Sequence, residues 1–132
     1  MKKLSSKGRC LCGGVKFSTK GFHRDISSCH CIQCMKTHGN FATYTRVDDN
    51  CLKFLSKKTL KWFKSSKNVR RGFCSKCGAS IFFKINRSKT ISIAAGMFDK
   101  SLKLKTIRNI FVKNRLKYYN LDESLPKYNR YS

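Results

Sequence analysis

Proline occurs once in the 132 residues, so the loops are only loosely constrained. Long apolar runs are missing too. The most apolar stretch, Ile91 to Phe98, is short and broken by Ser92 and Gly96, far from the roughly 18 residues that a membrane-crossing helix needs. The opening residues MKKLSSKG lack the apolar segment of about 7–15 residues that marks a secretory signal. No internal repeat or low-complexity tract interrupts the chain. These absences predict a soluble protein in a reducing, cytoplasmic compartment, with no membrane association. The length suits a single domain. We place that domain at residues 8–128, flanked by basic termini at 1–7 and 129–132.

Acidic residues are scarce as well. Six Asp and Glu face thirty Lys and Arg, a formal charge of +24. Such a field speeds the arrival of any anion, from a small carboxylate metabolite to nucleic acid, and salt screens it. Hydrophobic residues reach only 40%. Chains of this size often supplement their core with disulfides or metal, and a reducing compartment favours metal.

Short alternating runs predict a mainly β fold. They fall at Gly14 to Thr19, Phe41 to Val47, Leu60 to Phe63, Ser80 to Ile85 and Thr90 to Ala94, with a further candidate at Ile107 to Val112 and a strand beginning near Cys51. Turns are expected at Gly13-Gly14, Gly21, Asp48-Asp49-Asn50, Ser65 to Asn68, Asn86 to Ser88 and Gly96. One short helix is expected over Ile32 to Thr37, stopped by Gly39. Leu121 to Pro126 reads as a turn or a single helical turn.

Eight cysteines are the main chemical resource, and seven of them cluster: Cys10-x-Cys12, Cys29-x-Cys31-x-x-Cys34 and Cys74-x-x-Cys77-Gly78. A CxxCG turn aims two thiolates at one metal and points backbone amides at the sulfurs. A structural zinc takes four ligands, and the Cys10/Cys12 pair supplies the two that Cys74 and Cys77 lack. Cys29, Cys31 and Cys34 then remain for a second zinc. Three protein ligands and one open position is the arrangement of catalytic zinc, and a sulfur-rich open site attracts a thiol. The alternative is that Cys51 completes a second closed site and both zincs are structural. Cys51 otherwise reads as a small buried hydrophobe at a strand start. His30, between two ligating cysteines, is expected to point away from their metal. His23 and His38 read as loop histidines, His38 close enough to line the opening of the site. Disulfides fit poorly, because CxC bridges are strained and seven thiols leave one over.

These motifs carry a resemblance. Arg9-Cys10-Leu11-Cys12-Gly13-Gly14-Val15, Ser28-Cys29-His30-Cys31-Ile32-Gln33-Cys34, Arg70-Arg71-Gly72-Phe73-Cys74-Ser75-Lys76-Cys77-Gly78 and Ala95-Gly96-Met97-Phe98-Asp99 follow one another as they do in the glutathione-dependent formaldehyde-activating enzymes, a family that also contains centromere protein V. The closing segment resembles the family's too, with Asn109 and Tyr118 where members often carry His and Trp. The resemblance implies a β-tent fold, a structural zinc on Cys10, Cys12, Cys74 and Cys77, and a catalytic zinc on Cys29, Cys31 and Cys34. It also implies glutathione as the thiol partner and a carbon-sulfur lyase reaction that makes or cleaves S-hydroxymethylglutathione from glutathione and formaldehyde. A rival reading is a non-catalytic zinc-stabilised basic module. In that reading Phe63, Phe73, Tyr118, Tyr119, Tyr128 and Tyr131, interleaved with Lys and Arg, engage nucleic acid or another polyanion. Metal storage or redox sensing is a third reading, weakened because zinc already engages the thiols.

Overall fold

A computed structural model describes residues 2–131 and shows a mainly β protein with two sheets and one α-helix. The strands are β1 Lys2–Arg9, β2 Val15–His23, β3 Ile26–Cys29, β4 Ala42–Asp48, β5 Leu52–Lys57, β6 Leu60–Ser66, β7 Val69–Cys74, β8 Ser80–Ile85, β9 Thr90–Ala94 and β10 Thr106–Ile110; the helix α1 is Ile32–His38. One sheet runs β1-β2-β5 and the other β10-β3-β4-β9-β8-β7-β6. Every pairing is antiparallel except β10 with β3. Among the described residues, no helix is long and apolar enough to cross a membrane.

Most expected elements are present. β8 and β9 match their expected spans, and α1 ends where Gly39, at φ 92°, donates its N–H to the Met35 carbonyl. The differences have local causes. Lys2 to Lys7, set apart from sequence as part of a basic terminus, belong to β1, whose residues from Lys2 to Arg9 pair with β2. At the other end Tyr131 packs edge-on against Phe111, and the Arg130 carbonyl accepts from the Phe111 N–H. Met1 and Ser132, the outermost residues of those termini, lie outside the described residues. Gly21 is not a turn but an interior residue of β2 at φ 135°, and a Cβ there would lie 2.6 Å from the Cys51 sulfur. Its missing side chain therefore makes room for Cys51.

The main core fills the space between the sheets. Val15 and Phe17 of β2 meet Val47, Ile81, Phe82, Ile91 and Ile93 of the larger sheet. Burying a side chain of this kind stabilises the fold by about 1.5–3 kcal/mol. Phe17 sits edge-on to both Phe82 and Phe98. The opposite face of the larger sheet carries different chemistry. Register places Arg46 opposite Ser92, Ser92 opposite Phe83 and Phe83 opposite Arg71, while Tyr44 lies opposite Ser27 and Ser27 beside Arg108. Paired residues share a face, so this side presents arginines and hydroxyls. α1 and the segment after β10 contribute residues to the cavity over it.

Candidate functional site

Two sulfur clusters form. The sulfurs of Cys10, Cys12, Cys74 and Cys77 all lie within 4.8 Å of one another, and so do those of Cys29, Cys31 and Cys34. All eight cysteines are free thiols.

The first cluster joins two tight turns. After β1, the Gly13 N–H bonds the Cys10 carbonyl, and the Val15 and Gly14 amides point at the Cys10 and Cys12 sulfurs at 3.3 and 3.5 Å. After β7, the Lys76 and Cys77 amides point at the Cys74 sulfur at 3.4 and 3.3 Å. Gly13 and Gly78 both adopt positive φ, closing the two turns alike. Gly14 is needed for a different reason, because a Cβ there would strike Thr59, whose hydroxyl lies 3.1 Å from the Cys74 sulfur. Burial opposes ionisation of Cys74, yet these amides and the Thr59 hydroxyl outweigh it and bring the thiol down to about 5. Cys10–Cys12 and Cys12–Cys74 sulfur separations are 3.7 and 3.5 Å. A tetrahedral ion with bonds of about 2.3 Å sets its sulfurs about 3.8 Å apart, so the donor set fits a metal such as zinc.

The second cluster sits where β3 runs into α1. Cys29 ends β3, between β10 and β4, opposite Ile110 and Ala42. Cys31 caps α1, its sulfur accepting the Cys34 N–H at 3.3 Å. Among the described residues no further cysteine, histidine or acid joins these three. Cys51 does not close the site: its sulfur reaches Asn50 Oδ1 at 3.5 Å and it packs on the main core. The three sulfurs instead border a cavity of about 470 Å³.

Electrostatics show what the second cluster needs. Hydrogen bonds from Cys29 and Cys34 hold Cys31 far below the usual thiol range, and bonding to the Cys31 sulfur, with burial, drives Cys29 far above it. Three packed sulfurs resist carrying three charges unaided; a divalent cation removes that resistance. Arg71 supplies part of the compensation. It is 3% exposed, and both terminal nitrogens donate to the Cys34 sulfur at 3.6 Å. It also donates to Gln33 Oε1 and Tyr44 Oη, and its guanidinium lies over the Phe83 ring. Burial alone would lower the Arg71 pKa, but the neighbouring Cys34 sulfur and Tyr44 phenol raise it. Among the described residues no carboxylate forms a salt bridge with Arg71. Buried cations are expensive without a counter-charge, and here the Cys34 and Cys31 sulfurs and the Tyr44 phenol are the groups that favour the Arg71 charge.

The histidines take supporting places. His30 points away from the sulfurs, as expected, bonding Asn109 Oδ1 at 3.0 Å and stacking on Phe41. Asn109 thus holds a second layer behind the cluster. His23, expected in a loop, ends β2 and is fully buried, bonded to the Thr19 hydroxyl and the Gly21 carbonyl. His38 does not line the cavity but stands behind Tyr44, its Nε2 2.9 Å from Tyr44 Oη and 3.3 Å from Ser80 Oγ. Burial and the nearby Arg71 charge lower its pKa to about 4, so at neutral pH the uncharged ring can accept a hydrogen bond from Tyr44 Oη. Arg71, Tyr44, Gln33, Arg24 and Arg46 all line the cavity and received no role from sequence. Arg71 was visible in the Arg70-Arg71-Gly72-Phe73 motif, but only the strand register reveals which arginine turns inward.

Fold and clusters together define a small β protein carrying one closed and one open sulfur site, each able to hold a metal ion. The sequence matches the family model of the glutathione-dependent formaldehyde-activating enzyme over residues 5–114, and the chain belongs to that family. The crystal structure of a Rhodobacter sphaeroides protein, a structural-genomics target, is similar with a TM-score of 0.61 at 20% identity, covering 74% of this chain and 91% of that one. At that identity the likeness concerns the fold. No curated protein matches the sequence.

Proposed function

We propose that the protein is a zinc-dependent carbon-sulfur lyase that joins a thiol, glutathione, to formaldehyde or a related aldehyde and cleaves the adduct. The observation that carries this reading is the three-sulfur cluster of Cys29, Cys31 and Cys34 bordering a cavity of about 470 Å³ with no fourth protein ligand among the described residues. In this reading Cys10, Cys12, Cys74 and Cys77 hold a structural zinc and the other three cysteines a catalytic one. A zinc ion at the open cluster would supply Lewis acidity and favour the thiolate form of an incoming thiol.

The chain's own residues account for the rest. Arg71 offsets the negative charge that gathers on the sulfurs. In the forward direction the substrate sulfur forms a bond to the aldehyde carbon, the carbonyl electron pair moves to oxygen, and that oxygen takes up the proton the thiol gave up. The reverse step returns the proton and breaks the carbon-sulfur bond. Tyr44 Oη, held between Arg71 and His38 at the cavity floor, is the hydroxyl we assign to the aldehyde oxygen. Closely spaced cysteine clusters that hold metal suit a reducing, cytoplasmic setting.

The test is to load the protein with zinc and follow the metal's sulfur coordination by X-ray absorption as glutathione is added. A rise by one sulfur at half of the metal is expected; an unchanged shell overturns the proposal. A second reading, the basic module for nucleic acid or another polyanion, is favoured by edge strand β6. There Phe63 is 57% exposed between Lys61 and Lys64, beside Arg70 stacked on Trp62. Polyanion binding that keeps a sequence preference after salt screening would support it, and binding that simply vanishes would not.

A further inference from the structure

The cavity floor holds more positive charge than the sulfur cluster uses. Arg24, Arg46 and Lys113 line the cavity apart from Arg71, and among the described residues no carboxylate lines it. The Arg24 guanidinium is anchored by the Tyr44 and Asp25 backbone carbonyls at 2.9 and 3.2 Å, and the Arg24 backbone N–H donates to the Arg46 carbonyl at 3.0 Å. Arg108 stands beside Arg24 and Arg46, donating to Ser27 Oγ at 3.4 Å. None of these three arginines takes part in a salt bridge among the described residues. Burial and repulsion from Arg46 and Arg108 lower the Arg24 pKa to about 10, which leaves it charged at neutral pH. Cations gathered on one concave face without a counter-ion repel each other, and an anionic ligand would relieve that repulsion.

Their spacing from the sulfurs is set by β4. Cys29 lies opposite Ala42, and Arg46 is four residues further along the same strand. At about 3.3 Å per residue this is about 13 Å along the floor. An extended tripeptide measures about 10 Å from end to end, which is the upper limit of its sulfur-to-carboxylate reach, and the arginine side chain covers the difference.

Resting on the thiol reading above, we propose that Arg24 and Arg46 form an anion clamp that selects thiols bearing a carboxylate up to about 10 Å from the sulfur. Short thiols reach the cluster but not the clamp. Ser92, opposite Arg46 and also lining the cavity, adds a hydroxyl to the same subsite. Arg46 is exposed, so replacing it leaves the core untouched.

The test uses the cobalt-loaded protein, in which the thiolate-to-cobalt absorption band reports binding of glutathione, glutathione dimethyl ester and 2-mercaptoethanol. Wild type should prefer glutathione to the ester by about ten-fold or more, and Arg46→Gln and Arg24→Gln should each weaken glutathione by about ten-fold, as loss of a charge-assisted bond does. Binding of 2-mercaptoethanol should be unchanged. Equal wild-type affinity for acid and ester overturns the clamp, as does parallel loss of all three thiols in the variants. S-methylglutathione, which keeps the carboxylates and lacks the thiol, separates the two proposals. Calorimetric binding of it that disappears in the double variant upholds the clamp even where no thiol moves the cobalt spectrum, a result that would count against the thiol reading alone. Unaltered binding of it in the double variant overturns the clamp.

Discussion

The two sulfur clusters use the same ligand atom for opposite ends. In the closed one, two similar turns from distant parts of the chain each present a pair of thiols wrapped in their own backbone amides. Those amides belong to the turns themselves, so the site is complete once β1–β2 and β7–β8 come together. The open one takes three sulfurs from a single run of six residues and none from elsewhere in the described chain. Its charge is met from outside, by a buried arginine on β7. Four sulfurs saturate an ion and leave only a structural role; three sulfurs beside a cavity leave room for chemistry.

The comparison predicts unequal damage. Removing a closed-cluster ligand, Cys74→Ser, should abolish cooperative folding, because metal affinity there is folding free energy and Cys74 also belongs to the core; circular dichroism on heating would read this directly. Cys31→Ser should keep the fold and a cooperative transition while losing one of two bound zincs and the turnover of S-hydroxymethylglutathione. Should both variants unfold alike, the functional contrast between the clusters collapses.

Arg71 offers a subtler way to sharpen the contrast. Arg71→Met should lower zinc affinity at the open cluster by about 10–100-fold, in line with loss of an outer partner of a metal ligand, and leave the closed cluster unaffected. Competition with a chelator, resolving the two zincs by their release rates, would measure it. Arg71→Lys should recover only part of the loss, since one ammonium cannot reach Cys34, Gln33 and Tyr44 together.

The smallest expected effect concerns pH. His38 has its folded pKa lowered to about 4 by burial and the Arg71 charge, from an ordinary value of 6.5. A lowered pKa means that its stabilising share is complete above about 6.5 and declines as pH falls towards 4. Below that range the imidazolium would lose the Tyr44 hydrogen bond and face Arg71. Urea midpoints taken from pH 7 to 4 should fall more steeply for wild type than for His38→Gln, with the clustered cysteines intact in both.

Some of this fold is legible in the sequence and some is not. β4 and β9 alternate in sequence because Val47, Ile91 and Ile93 face the core while Tyr44, Arg46 and Ser92 line the cavity. β3 gives no such signal, since Ile26 to Cys29 are buried on both faces between β10 and β4. β1 is hidden for the opposite reason: it is an edge strand of lysines and serines in which only Gly8 is buried. β7 is masked by Arg71, a buried charge in a strand where pattern reasoning expects an apolar residue.

Which sulfurs gather was legible in the sequence, because the short CxC, CHCxxC and CxxCG spacings keep the sulfurs of each motif close together through a few backbone bonds. Spacing and valence suggested a partition into four and three but left Cys51 as a possible fourth member of the second set, and the fold places Cys51 on the main core instead. Only the tertiary structure decided what surrounds the sulfurs. Strand register, a relation between residues tens of positions apart, turned Arg71 towards Cys34 and set Tyr44, Arg24 and Arg46 along one cavity, and no local spacing could encode that.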